Sequence, residues 1–207
     1  MDLTQTLVEE ICNPAIRSIG AKKIPPATPN ANMTEVTLCQ DLYKSVRDSE
    51  IRERIWSCTK KRATLTKEVT DPDYWDWEYQ YALPTDCALV ISLEYNYVYS
   101  IESGYIYTNA KDGDDQIDIK YVQFADTTSG TAVDTEIARF DFGLKNVLAK
   151  RLAAEMCPTI APAKEATAWV KYNDALASAM ISNSFEDLHS IIGDVDYEPD
   201  CIALRWG

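Results

Sequence analysis

The sequence predicts an α+β protein: an antiparallel α-helical bundle of about four helices, with a small antiparallel β module inserted between the helix pairs. Three observations carry this. Apolar residues recur at helical spacing in the first and last quarters of the chain. The middle third alternates instead with a period of two, as in Ile117, Ile119 and Tyr121 against Asp118 and Lys120. Strands grouped between helices, rather than interleaved with them, give α+β order and not βαβ order. The boundaries that follow are 1–56 and 132–184 for the helical domain, 57–131 for the inserted β domain and 185–207 for an acidic C-terminal tail.

A first helix is expected over residues 3–19, where Leu3, Leu7, Val8, Ile11, Cys12, Ala15 and Ile19 share one stripe. Pro14 lies inside it and predicts a kink or a break. Gly20 suits the position after the last turn. Residues 24–30, with three prolines, read as an extended connector. A second helix begins near Asn32, with Glu35 as its capping partner, and stops near Ile55. Trp56 then hands the chain to a strand around Ala63–Thr66.

Residues 74–81 form an aromatic loop, followed by the turn Ala82-Leu83-Pro84-Thr85-Asp86-Cys87 and an apolar run to Leu93. Tyr97, Tyr99 and Ile101 alternate, Glu102-Ser103-Gly104 turns, and residues 105–108 return. A turn at residues 111–115 leads to the strand of Ile117 to Tyr121. A third helix is expected from Asp134 or Thr135 to Met156. Pro162 opens a fourth that ends near Asn183. The tail has no clean period.

Twenty basic and 33 acidic side chains give a net charge of −13, which argues against tight DNA binding. The charge is uneven. Residues 44–67 carry eight basic and three acidic residues, and residues 185–207 carry six acids and one Arg. A chain with opposite poles can associate with copies of itself or with an acidic partner, although a basic face merely solvated by water fits the same pattern. No run is apolar and long enough to span a membrane, and no signal peptide is read. The six cysteines are widely spaced and there is one histidine, His189, so the expectation is reduced, mostly buried thiols and no structural metal.

Two constellations invite a chemical reading. Trp75 and Trp77 among Asp71, Asp73, Asp76 and Glu78 suit a sugar ledge, and Asp76 with Glu78 suits a glycosidase pair. Packing or protein contact explains the aromatic residues better. Asp112, Asp114, Asp115 and Asp118 fail the calcium-loop spacing and read as a hairpin turn. No phosphate loop, dinucleotide fingerprint or nucleophile elbow occurs, which leans the reading away from an enzyme.

Four segments, in order, carry a resemblance to a known family. They are Ile55-Trp56-Ser57-Cys58-Thr59-Lys60-Lys61-Arg62-Ala63-Thr64-Leu65, Tyr81-Ala82-Leu83-Pro84-Thr85-Asp86-Cys87, Ile117-Asp118-Ile119-Lys120-Tyr121 and Ala149-Lys150-Arg151-Leu152-Ala153-Ala154-Glu155. Together they resemble the head-to-tail adaptor of short-tailed phages, the tail tubular protein A or gatekeeper family, over residues 45–179. Pro14 and the acidic tail depart from that pattern.

The resemblance implies a virion protein with no catalysis and no cofactor. It implies a ring, typically of twelve subunits, between the portal protein and the tail nozzle (tail tubular protein B), with tail fibres as further neighbours. Isolated subunits are expected to be monomeric, and the ring is expected to form on the portal in the host cytoplasm. Genome DNA would pass through the channel without specific binding. The residues expected at interfaces are Lys60, Lys61 and Arg62, the aromatic residues Tyr74, Trp75, Trp77 and Tyr79, and the closing anchors Ile202, Leu204 and Trp206. A tail-associated cell-wall glycan hydrolase or sugar-binding module is the alternative.

Overall fold

The computed structural model describes residues 2–70, 72, 76–109, 115–124 and 130–192, with side chains as far as Glu186. The helical part comprises α1 (Gln5–Leu7), a π-helical turn (Val8–Cys12), α2 (Asn13–Ile19), α3 (Thr34–Glu53), α4 (Gly130–Arg139), α5 (Phe142–Ile160) and α6 (Glu165–Ile192). The strands are β1 (Lys60–Thr66), β2 (Tyr79–Ala82), β3 (Cys87–Leu93), β4 (Tyr99–Glu102), β5 (Tyr105–Thr108) and β6 (Gln116–Gln123).

The molecule is α+β, but the expected bundle of about four helices is not what forms. Among the described residues, with α1, the π turn and α2 counted as one continuous run, there are five α-helical segments, and the strands make two three-stranded antiparallel sheets. The count differs because the expected third helix is two. Phe140 N–H bonds back to both Glu136 and Ile137 oxygens as α4 closes. Asp141 then takes an extended conformation and its carboxylate accepts from Leu144 N–H at 2.6 Å, starting α5 afresh.

Three other expectations are corrected. Of the kink or break expected at Pro14, the break does not occur. Asn13 N–H reaches Val8 O, five residues back, and the wider π turn accommodates a proline that has no N–H to give. The Asn32–Glu35 cap does not form: Met33 precedes the first turn of α3, and Glu35 instead accepts from Lys22 N–H at 3.3 Å. The helix expected to stop near Asn183 runs on to Ile192, since neither Gly nor Pro occurs between Glu165 and Gly193.

Helix α5 is the centre of the helical layer, packed by α2, α3 and α6. Its Leu144, Val147, Leu148, Leu152 and Met156 are fully buried, each contributing about 1.5–3 kcal/mol of transfer free energy. On α3 the buried set includes Arg47 and Glu50 beside Cys39, Tyr43, Val46 and Ile51, while Ile55 is left at the surface.

The sheets have strand orders β1-β6-β3 and β2-β5-β4. They meet at a corner, where Lys67 bridges Tyr81 and Glu68 N–H donates to Gln80 O at 3.0 Å. Between them lies a second core of Leu65, Tyr81, Val90, Leu93, Ile106, Ile117, Ile119 and Tyr121. Val122 points the other way and belongs to the helical core. The first sheet is therefore a wall with a core on each side. The aromatic segment expected as a loop contributes β2, whose Tyr81 is fully buried. At the β4–β5 turn Ser103 and Gly104 both have positive φ, 51° and 85°, as a tight two-residue hairpin loop demands.

Asparagine amides fasten four of the irregular segments. Asn13 accepts from Ile24 N–H and donates to Ile24 O, both at 2.9 Å. Asn30 does the same to Leu3, at 2.9 and 3.2 Å. Asn109 spans Asp76 and Glu78. Asn183 spans Ile55 and Ser57. In each case the side chain satisfies backbone groups that no strand neighbour pairs.

Candidate interaction surfaces

The joint between the two parts is built around Trp56. Its indole is fully buried and its Nε1–H donates to Glu50 O at 3.2 Å. Asn183 on α6 grips the backbone on either side of it, accepting from Ser57 N–H at 2.8 Å and donating to Ile55 O at 3.0 Å. Below the indole, Glu50 is fully buried and accepts from Arg151 at 2.6 Å, Tyr172 at 2.5 Å and Arg54 at 2.9 Å. This joins α3, α5 and α6. Burial and the hydrogen bond to Glu50 push the Tyr172 hydroxyl up to about 12. A second buried pair, Arg47–Glu136 at 2.9 Å, joins α3 to α4.

Asp86, in the Pro84–Cys87 turn, ties that turn to β1 and β6. It accepts from Lys61 at 2.8 Å, Gln123 at 2.7 Å and Tyr121 at 3.0 Å. Partial burial alone would raise its carboxyl; the donors Lys61 and Tyr121 more than offset that and hold it below the usual range.

The basic triplet on β1 does not present one face. Strand alternation and the antiparallel register place Lys60 and Arg62 opposite Val122 and Lys120, on the side that faces the helices. Lys61 sits opposite Tyr121, on the other side, over the Tyr121 ring and paired with Asp86. Of the remaining basic residues in the 44–67 segment, Arg47 is buried and Arg54 is tied to Glu50 and Glu53.

Trp77 is half-buried and lines a shallow cleft of about 520 Å³ with Asp76, Tyr97, Val98, Thr108 and Asn109. Tyr79 is half-buried beneath the Lys67 ammonium, 4.9 Å from the ring centre. Tyr74, Trp75, Ile202, Leu204 and Trp206 lie outside the described residues. So do Asp71, Asp73, Asp112, Asp114, Cys201 and the side chain of His189.

The sequence reading missed an aromatic tip. Tyr95 has φ 50° and Asn96 φ 54°, and Tyr95 packs edge-on to Tyr97 at 5.7 Å. Tyr95 and Val98 are about three-quarters exposed. A bulky residue held in the left-handed region at the surface is strained. The signal in the sequence is Tyr95 and Tyr97 on either side of Asn96, between the apolar run that ends at Leu93 and the alternation that follows.

The five cysteines among the described residues are free thiols. Cys12 lies against Cys39, and that contact and burial raise its thiol well above the ordinary value. Among the described residues no cluster of His, Cys, Asp or Glu could hold a metal ion, and no helix is long and apolar enough to cross a membrane. No protein-family model and no curated protein matches the chain.

Proposed function

We propose that this protein is the subunit of a head-to-tail adaptor in a short-tailed phage virion. Its copies assemble as a ring, of twelve in the family it resembles, between the portal protein and the tail nozzle. The ring extends the DNA channel and gives the nozzle and fibres a docking face. Its work is mechanical, without catalysis or cofactor.

One observation carries this reading. The segments on which the resemblance rests fall on parts that hold the subunit together: Trp56 where the helices hand over to β1, the Asp86 turn against β1 and β6, the β6 wall, and Arg151 in the network that joins the helices. A rigid two-part subunit, with one part to stack in a ring and one to meet another tail component, suits an adaptor. The acidic balance of −13 also suits a channel that must not hold DNA phosphates.

The test is mass by light scattering, alone and after mixing with the portal protein of the same virion. A monomer that becomes a stoichiometric ring on the portal supports the adaptor. A monomer that ignores the portal sinks it.

A second reading keeps one observation of its own. Asp76 and Trp77 share their cleft with Tyr97, an arrangement in which a sugar ring can stack on an aromatic face beside a carboxylate. Zymography on cell walls with Asp76→Asn and Glu78→Gln variants tests the hydrolase form of it. Clearing that survives both substitutions excludes these acids.

A further inference from the structure

A strand with a neighbour on one side only presents a row of N–H and C=O groups that can take another strand. Among the described residues β1, β3 and β4 have such an edge, while the outer side of β2 is bridged by Lys67 and Glu68. The three edges are not alike. β1 carries Lys60, Lys61 and Arg62, and the register of β3 shifts twice against β6. Charges and bulges are devices that keep an edge from pairing. β4 has neither. Its register against β5 is unbroken from Tyr99 to Glu102, and no residue from Tyr95 to Ile101 is charged.

The hairpin decides which groups of β4 point outward. With positive φ at Ser103 and Gly104, the two-residue turn makes Glu102 and Tyr105 a hydrogen-bonded pair. Such pairs alternate along an antiparallel ladder, so Ser100 also bonds to β5 and the backbone groups of Tyr99 and Ile101 face away from the sheet. The bond from Leu83 N–H to Gly104 O, at 2.9 Å, fits the same phase on the β2 side. The side chains of Tyr99 and Ile101 lie on the face of Tyr81 and Ile106, both fully buried. Ile101 is nevertheless 43 % exposed. The second core ends here one strand short.

We propose that β4 pairs with β4 of a second copy, antiparallel about a twofold axis at Ser100, joining two three-stranded sheets edge to edge. In that register the outward residues meet: Tyr99 of each copy lies opposite Ile101 of the other, and each such pair exchanges both backbone bonds. The aromatic–aliphatic contact is a favourable cross-strand pair and covers Ile101. Glu102 falls opposite Val98, so no like charges meet. Each copy carries −13, and an uncharged edge is where two such chains can approach. The contact is small and of the weak class, with a Kd on the order of 0.1 mM, so the chain is monomeric when dilute. Neighbours around a single ring axis meet through two different surfaces. The pair is therefore a state of the free subunit and parts before any ring closes. This inference does not rest on the adaptor reading.

The test is disulfide trapping in the full chain at roughly 0.5 mM, above that Kd, read by peptide mass spectrometry. Ser100→Cys puts a thiol on the axis, in a non-hydrogen-bonded pair with Cα atoms about 4.5 Å apart, within disulfide reach. Glu102→Cys sits at a more exposed position, but the register holds it roughly 14 Å from its counterpart. The expected result is a position-100 homodisulfide in about tenfold excess over the position-102 one, increasing with salt as repulsion is screened. Unchanged thermal melts of both variants are the control for folding. Equal yields from the two variants mean collision without register and overturn the proposal. Coupling of the position-100 thiol to Cys87 or Cys58 of another copy overturns it too, and assigns the edge to a different strand. No position-100 linkage, with a sedimentation mass of one subunit at the same concentration, overturns it and leaves the edge to a strand of another protein.

Discussion

Arg151 on α5 and Glu50 on α3 form a 2.6 Å ion pair in which the carboxylate is fully buried, and Tyr172 from α6 donates to the same oxygen at 2.5 Å. One carboxylate thus sets the mutual position of three helices. Glu50→Ala removes the buried carboxylate and leaves Arg151 and Arg54 with Glu53 alone as an ion-pair partner. The expected loss is about 3–5 kcal/mol, as for breaking one side of a buried pair. Urea unfolding measures it, and a loss below about 1 kcal/mol means the network is ornamental to stability.

Tyr172 gives the network a pH signature. Its hydroxyl is raised to about 12 in the folded chain, against about 10 unfolded. The unfolded chain therefore releases this proton first as pH rises. The stability due to the neutral hydroxyl is fully present below pH 10 and drains away between pH 10 and 12. Tyr172→Phe should start less stable at pH 8 and fall less steeply than the parent over that window. Parallel slopes for the two proteins would count against the assignment.

Asp86 acts at the opposite end of the scale. Its carboxyl is lowered in the folded chain, so its contribution is present above the ordinary carboxylate range and is lost as pH falls through its folded value. Asp86→Asn should cost about 1–2 kcal/mol at pH 7 and flatten the acid limb of the stability profile. Equal acid sensitivity of both proteins would show that the turn is held by something else.

Trp56 and Asn183 form one joint from two sides. Trp56→Ala should cost about 3–5 kcal/mol. Asn183→Asp keeps the acceptor for Ser57 N–H but sets a carboxylate against Ile55 O, and should cost about 1–3 kcal/mol. Because both act on residues 55–57, the double variant should lose less than the sum of the two. Strict additivity would separate them.

The basic strand gives an assembly prediction for the adaptor reading. Lys61 is structural, through Asp86, so reversing all of Lys60, Lys61 and Arg62 mixes two effects. Lys60→Glu with Arg62→Glu should block ring formation on the portal while the melting temperature holds. Lys61→Glu should lower the melt. Normal rings from the Lys60/Arg62 double variant would remove this face from the interface.

Periodicity told the class of nearly every long element, because burial on one side leaves a stripe that survives in the sequence. It could not show Arg47 and Glu50, which sit among the apolar positions of α3 as if they were surface residues. Their partners, Glu136 and Arg151, are 89 and 101 residues away. The break at Asp141 was locally written, as an Asp three residues before Leu144, yet the apolar stripe continues across it and hides the cap. Strand β2 was masked by its aromatic density, which reads equally as a loop anchor. At the surfaces, alternation along β1 was legible and implied the split of Lys60 and Arg62 from Lys61. The pairing of Arg62 with Lys120 needed the register.

The asparagine fastenings also bear on how this chain tolerates change. Ile24 is pinned by Asn13, and Asn30 is pinned to Leu3, so the proline-rich stretch between them is tethered at both ends by side chains. Its length is then nearly free, since closing a somewhat longer loop costs little. Residues can be added at 25–29 without moving either helix, and this is where a foreign peptide or a fluorophore tag belongs.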